Sequence, residues 1–148
     1  MKCCKKPKGK ISYDIPELES TISNFTDFEM DVLELVNAYR YEKGLQMLEF
    51  NFKLANIADP HTQYMVSVDT LSHDNFPKRN LQAIKYCEAT WLGENVSFGY
   101  GTAHGFVQGW INSEGHRKIL ESDKAIFFAV SIRQNAKHRN YATLLLMN

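Results

Sequence analysis

The stretch Trp110-Ile111-Asn112-Ser113-Glu114-Gly115-His116-Arg117 closes a series of short polar motifs that decide the fold of this chain. The earlier motifs are Leu71-Ser72-His73-Asp74 and Gly93-Glu94-Asn95. Together they carry two histidines and a glutamate, each beside an expected boundary of a helix or strand. Side chains of these types can bind a divalent metal ion or move a proton when a fold brings them together. The motifs therefore predict one polar site assembled from distant parts of the chain.

The chain before these motifs shows helical periodicity. Thr26 and Glu29 have the spacing of a capping box, which predicts that a first helix begins here and runs over 27–43. Asn51 is placed to cap a second helix. Pro60 falls inside that helix and should kink it or split it, because proline removes a backbone donor and clashes with the preceding turn.

Shorter helices are expected around the motifs themselves. One spans 76–86, with Leu81 and Ile84 on its inner face. Thr102 can cap another helix, and a last short helix should follow over 116–120. Each motif therefore adjoins an expected boundary of a helix or a strand.

Apolar residues alternate or run together in segments that predict strands. The first segment covers 93–98, and the others cover 125–133 and 141–147. The polar loop 134–140 between the last two predicts an antiparallel hairpin. Helices come first and strands concentrate at the end, which favours an α+β fold over a doubly wound parallel sheet.

Length and charge limit the classes of protein to which the chain can belong. A chain of 148 residues is one domain long and can bury a substantial core. The residues expected in that core are Val36, Leu54, Phe106, Trp110 and Val130. Lys plus Arg and Asp plus Glu number 17 each, so no overall field attracts nucleic acid. No apolar run reaches the roughly 20 residues of a transmembrane helix.

Residues 1–25 are polar and are expected to form a tail or linker ahead of a domain over 26–148. Because they lack an apolar signal segment, we expect one to have preceded them. Cys3 and Cys4 lie in this lysine-rich stretch. Either one of them carries a lipid anchor at the cell surface, or both are incidental residues of a disordered tail. Since Cys87 stands alone elsewhere, a disulfide framework is not expected.

The polar motifs resemble those of the CAP superfamily, also called the SCP-like or cysteine-rich secretory, antigen 5 and pathogenesis-related domain. Its small bacterial members have Ser-His, then Gly-Glu-Asn, then Trp-x-x-Ser-x-Gly-His-Arg, and this chain keeps that order within residues 27–147. Eukaryotic secreted members are rich in cysteine, so a chain with 3 cysteines looks like the bacterial branch. The resemblance implies a three-layer α-β-α sandwich with a small, mainly antiparallel sheet.

The resemblance also implies a cleft in which His73 and His116 are the paired histidines. Glu94 would support them by accepting a ring N–H, which fixes the tautomer of a histidine. The histidines would be the metal ligands, and with so few protein ligands we expect weak, exchangeable binding of Zn²⁺. Eukaryotic members add a second glutamate after the tryptophan. Glu114 either takes that place or is a surface acid.

Other residues of reactive types have simpler structural roles. His61 is expected to be a partly buried helix histidine rather than a ligand. Arg117 is expected to clamp a carboxylate or backbone carbonyl oxygens. Cys87 could be a reactive thiol, although cysteines at helix ends are commonly buried and inert.

Two functions of different classes follow from the resemblance. The first is a secreted, periplasmic or cell-surface binding module whose cleft recognises a lipid, a cell-wall component or a protein. The second is a metal-assisted, protease-like hydrolase in which His73, Glu94 and His116 are the candidate catalytic residues. The sequence contains no Gly-x-Ser-x-Gly or His-Glu-x-x-His motif, which favours the binding module.

Overall fold

The computed structural model describes residues 25–148, so the expected lipid anchor at Cys3 or Cys4 lies outside the described residues. The helices are α1 (Asp27–Glu42), α2 (Phe52–Val68), α3 (Phe76–Cys87), α4 (Ala103–Ile111) and α5 (Glu114–Leu120). The strands are β1 (Glu49–Phe50), β2 (Leu92–Phe98), β3 (Phe127–Gln134) and β4 (Asn140–Met147). Within this part of the chain, no helix has both the length and the apolar character needed to cross a membrane.

Helices α1, α2 and α4 begin at the capping residues that the sequence predicts. The Thr26 hydroxyl accepts the N–H of Glu29 at 3.1 Å, and the Glu29 carboxylate accepts the N–H of Thr26 at 3.0 Å. Asn51 and Thr102 likewise accept a backbone N–H from the first turn of α2 and of α4. These bonds satisfy amides that a helix start leaves free, so the predicted starts are confirmed.

The strands form a mixed, mainly antiparallel sheet in the order β1-β3-β4-β2. β3 and β4 make the predicted hairpin, with Phe127 opposite Met147 and Gln134 opposite Asn140. β4 also pairs with β2, which confirms that the strand predicted over 93–98 shares this sheet. β1 is too short to show a sequence pattern, and it adds a parallel pairing to β3.

Helices cover both faces of the hairpin, which makes the fold an α-β-α sandwich. Leu144 and Leu146 face a core shared with α1, α4 and α5. Leu145 and Met147 face the opposite way, into a core shared with α2 and α3. Alternate residues of a strand point to opposite faces, so a strand buried on both sides needs a continuous apolar run. The residues expected in the core are all buried: Val36, Leu54, Phe106, Trp110 and Val130.

The interiors of two helices bear on the predictions. α2 runs through Pro60 as one helix, so of the two predicted effects of this proline the split does not occur; its buried stripe stays packed on the sheet. In α3 the buried residues include Arg79 and Ala83, whereas Leu81 is half-buried and Ile84 is exposed. The expected inner position of Ile84 is therefore wrong. The inner face follows Arg79, whose guanidinium binds a buried carboxylate of β2.

Candidate functional site

A buried carboxylate on β2 is the centre of the site. The side chain of Glu94 is 2% exposed. Its Oε2 accepts from Nε of Arg79 at 2.6 Å, and its Oε1 accepts from Nη2 of Arg79 at 2.7 Å. The same Oε1 accepts from Nδ1 of His73 at 2.8 Å. A bidentate arginine compensates a carboxylate that burial alone would penalise, and both oxygens of Glu94 are occupied by donors.

Arg79 is buried and makes a hydrogen bond with each of its nitrogen atoms. Nε and Nη2 bind Glu94, and Nη2 also donates to the carbonyl oxygen of His73 at 3.4 Å. Nη1 donates to the carbonyl oxygen of Asp74 at 2.6 Å and to Nδ1 of His61 at 3.0 Å. A guanidinium carries about five donors in a planar fork. Arg79 therefore has no donor left for a ligand.

His61 on α2 is buried and uses both ring nitrogens. Its Nε2 donates to the carbonyl oxygen of Ser72 at 2.8 Å, and its Nδ1 accepts from Arg79. These partners assign the neutral tautomer with the proton on Nε2. Burial lowers the pKa of His61, and the positive charge of Arg79 lowers that pKa further. His61 is a buried structural histidine rather than a ligand, as expected.

His73 lies in the loop between α2 and α3, with its side chain 56% exposed. Because Nδ1 donates to Glu94, the neutral ring carries its lone pair on Nε2. Nε2 makes no hydrogen bond to any residue of the 25–148 segment. An accessible Nε2 backed by a carboxylate is the arrangement of a histidine that binds a metal ion or accepts a proton.

His116 lies in the first turn of α5, which begins at Glu114 rather than at His116 itself. Its backbone carbonyl accepts from Nδ2 of Asn95 at 3.0 Å. Burial lowers the pKa of the His116 ring, and the charge of His73 lowers it further. Of the predicted site residues, His73 and Glu94 are in direct contact, whereas the His116 ring makes no hydrogen bond to either of them within residues 25–148.

An apolar groove of about 390 Å³ borders the exposed ring of His73. It is lined by His73, Phe76, Trp91, Leu92, Gly93, Glu94 and Ile119. Gly93 permits this packing, because a Cβ there would lie 2.8 Å from the ring of Trp91 and 2.9 Å from Ile119. The groove thus places an apolar surface beside a hydrogen-bonding imidazole.

The candidate metal ligands are fewer than a closed zinc site requires. Residues 25–148 contain no group of three or more His, Cys, Asp or Glu side chains placed to hold a metal ion. Glu94 is engaged by Arg79, and Glu114 is 71% exposed and paired with Lys118 at 3.0 Å. A structural zinc ion takes about four protein ligands, which these residues do not fit. Of the predicted ligands, the imidazoles of His73 and His116 remain.

Neighbouring residues have structural roles. Nη1 of Arg117 donates to the carbonyl oxygen of Ile111 at the end of α4, at 2.9 Å. The indole of Trp110 donates to the carbonyl oxygen of Val96 on β2, at 3.3 Å. Burial raises the pKa of the half-buried Cys87 thiol, which makes it a poor nucleophile.

Comparison with known proteins identifies the family. Residues 33–146 match the CAP family, described as the cysteine-rich secretory protein family. This chain belongs to the CAP family. The CAP domain is 33% identical over 107 residues to YkwD, an uncharacterized protein of Bacillus subtilis. It is 29% identical over 119 residues to YlbC, an uncharacterized membrane protein of the same species. These alignments cover 68% and 78% of the chain but 40% and 34% of the two relatives.

Solved structures of bacterial proteins share the CAP fold. An extracellular protein containing an SCP domain from Bacillus anthracis has a TM-score of 0.71 at 21% identity, over 86% of this chain and 45% of its own. An outer surface protein from Borrelia burgdorferi has a TM-score of 0.73 at 18% identity, over 86% of this chain and 98% of its own. At these identities the likeness establishes the α-β-α sandwich and not a ligand.

Arg79 and His61 contact Glu94 and the loop of His73, but these contacts are not visible in the sequence. Their roles depend on contacts with β2 and with the loop before α3, which local spacing does not reveal. One signal is present: Arg79 lies on the same helix face as Ala83, a buried position. A charged residue on a buried face requires a buried partner, and Glu94 is that partner.

Proposed function

We propose that this CAP domain is a binding module of the cell exterior. Its cleft, formed by His73, Glu94 and His116, binds a lipid, a cell-wall component or a protein. The observation that carries the proposal is the free Nε2 of an exposed His73 beside an apolar groove. Such a site suits a ligand with an apolar group next to a hydrogen-bond donor, because the groove buries the first and the imidazole accepts the second.

Proteins of the same fold support a location outside the cytoplasm. Two of them are described as an extracellular protein and as an outer surface protein. The balanced charge of this chain provides no attraction to nucleic acid. As part of the proposal, this protein is located outside the cytoplasm, where it is either secreted or attached to the cell surface.

A divalent metal ion is a further ligand of the same cleft in this proposal. Imidazole nitrogens suit Zn²⁺. Nε2 of His73 and the ring of His116 would hold the ion, and Glu94 would orient His73 through Nδ1. A bound ion would supply Lewis acidity. With two imidazoles, the affinity should be far below that of a zinc site with four protein ligands.

The same geometry favours one alternative function, which is hydrolysis. A histidine whose Nδ1–H is held by a carboxylate can take a proton from water through Nε2. His73 would then be the general base and Glu94 its orienting partner. Turnover of a peptide or ester substrate that disappears in His73→Ala would favour hydrolysis over simple binding.

Calorimetric titration with Zn²⁺ tests the shared metal site. We expect the wild-type protein to bind the ion and both His73→Ala and His116→Ala to lose most of the affinity. Glu114→Gln is the surface control, because Glu114 pairs with an exposed lysine, and it should match the wild type. Equal affinity in all of these proteins would refute a metal site shared by the two histidines.

The fluorescence of Trp91 tests the groove. The chain has 2 tryptophans, and Trp110→Phe removes the one in the core while Trp91 stays in the groove. Titration with dodecanoate, phospholipid vesicles or solubilised cell-wall glycan should change the Trp91 emission in at least one case. His73→Ala should weaken that response. No change with any of these probes, in a protein that keeps its circular dichroism spectrum, would refute the groove as a site for a lipid or cell-wall ligand.

A further inference from the structure

We infer that Arg79, together with His61, is the positioning element of the cleft. The pair holds the loop of His73 and the carboxylate of Glu94, so that Nε2 of His73 is the nitrogen presented to a ligand. The inference rests on the proposed function, since that function makes His73 the ligand-binding residue. The contacts that carry it are independent of what the ligand is.

The loop of His73 is held by successive backbone carbonyl oxygens. The carbonyl of Ser72 accepts from Nε2 of His61 at 2.8 Å. The carbonyls of His73 and Asp74 accept from Arg79 at 3.4 and 2.6 Å. His61 and Arg79 are themselves joined by the bond from Nη1 to Nδ1. The two side chains therefore form a buried pair that fixes the path of the backbone carrying the His73 ring.

Arg79 also controls the hydrogen bond made by the His73 ring. Its fork takes both oxygens of Glu94 and orients the carboxylate so that Oε1 can accept one further donor. That donor is Nδ1 of His73, and the lone pair of the neutral ring is consequently on Nε2. The backbone and the ring of His73 are thus placed by the same guanidinium.

A lysine cannot replace Arg79 in this role. Its ammonium group has about three donors on a single atom, whereas the acceptors around Arg79 are spread along the edges of a planar guanidinium. They comprise both carboxylate oxygens of Glu94, two backbone carbonyls and Nδ1 of His61. Because Nδ1 of His61 accepts from Arg79, His61 keeps its own proton on Nε2. His61 and His73 should therefore be opposite tautomers.

Long-range ¹H–¹⁵N NMR of the whole chain measures these tautomers in the neutral state of each ring. In the wild type we expect the proton on Nδ1 in His73 and on Nε2 in His61. In Arg79→Lys, His73 should become a mixture of both tautomers. Arg117→Lys is the matched control, because it removes another guanidinium that donates to a helix carbonyl and should keep the wild-type pattern.

The Zn²⁺ affinity of the same variants separates this inference from the proposed function. Loss of a residue that orients a metal-binding histidine typically lowers metal affinity about 10- to 100-fold. Arg79→Lys should therefore bind Zn²⁺ at least about 10-fold more weakly than Arg117→Lys. If the wild type binds no Zn²⁺ but the tautomers change as expected, the positioning role stands and the metal site fails.

Two results would overturn the positioning role. One is an unchanged His73 tautomer in folded Arg79→Lys. The other is a proton on Nε2 of His73 in the wild type, which requires no variant at all. If Arg79→Lys does not fold, His61→Phe takes its place with the same expected change at His73, because it removes the partner that orients Arg79.

Discussion

Replacing Arg133 with methionine should destabilise the protein, because it removes a guanidinium that pairs with two buried carboxylates. Arg133 on β3 lies 2.6 Å from Oδ1 of Asp59 on α2 and 3.6 Å from Oε1 of Glu29 on α1. The side chains of these acids are 2% and 3% exposed, and that of Arg133 is 35% exposed. One cation thus joins the sheet to a helix of each outer layer.

The expected loss of unfolding free energy follows from this burial. We expect about 2 to 4 kcal/mol, somewhat less than for a fully buried ion pair, because Arg133 is partly open to solvent. Asp59 keeps hydrogen bonds from Ser131 and Gln63, and Glu29 keeps two, from the backbone of Thr26 and of Ile132. These remaining bonds limit the loss without replacing the missing charge.

Urea denaturation followed by circular dichroism measures this loss as a shift of the unfolding midpoint. Lys137→Met is the matched control. It removes another cation near the end of the hairpin, whose partner Asp69 also belongs to the α2 region, but this pair is exposed. Exposed ion pairs contribute little, so the control should unfold close to the wild-type midpoint. Equal shifts in the two variants would refute burial as the reason.

Three further changes test the core, the groove wall and the pH dependence of stability. Trp110→Ala should cost about 3 to 5 kcal/mol in the same urea assay, as truncation of a buried aromatic does, and a cost below about 1 kcal/mol would contradict its place in the core. Gly93→Ala should cost about 1 to 3 kcal/mol, because its Cβ would overlap Trp91 and Ile119; a wild-type melting temperature would mean that this wall yields freely. The folded-state pKa of His61 is lowered by burial, so below the reference value of about 6.5 the unfolded chain binds a proton that the folded protein does not. Stability should therefore fall with falling pH more steeply in the wild type than in His61→Gln, and identical pH profiles in urea melts would count against this assignment.

Contacts within one helical turn explain the sequence predictions that succeed. Thr26, Asn51 and Thr102 each accept a hydrogen bond from a residue in the turn that follows, so the helix start is visible in a few letters of sequence. The apolar runs of β3 and β4 are visible for a similar reason, because burial on both faces removes polar alternation.

Contacts between distant residues explain the predictions that fail. Arg79 and Glu94 are 15 positions apart, and neither local sequence shows that they pair. The face of α3 that carries this ion pair is buried. The side chain of Ile84 is consequently exposed to solvent, although it is apolar. The contact between His73 and Glu94 could be predicted from the resemblance to the family motifs. The residues around each motif do not by themselves imply that contact.

The attachment of the His73 loop through backbone oxygens affects how the cleft can change. Every amino acid supplies the same carbonyl oxygen, so the bonds at positions 72 and 74 do not depend on the identity of Ser72 or Asp74. Substitutions at these two positions remove exposed side-chain bonds, from the Tyr64 hydroxyl to Asp74 and from the Asp74 N–H to Ser72, while the backbone bonds that hold the loop on both sides of the imidazole remain. A gene library randomised at those two codons would therefore vary recognition without dismantling the site, and natural drift has the same route open to it.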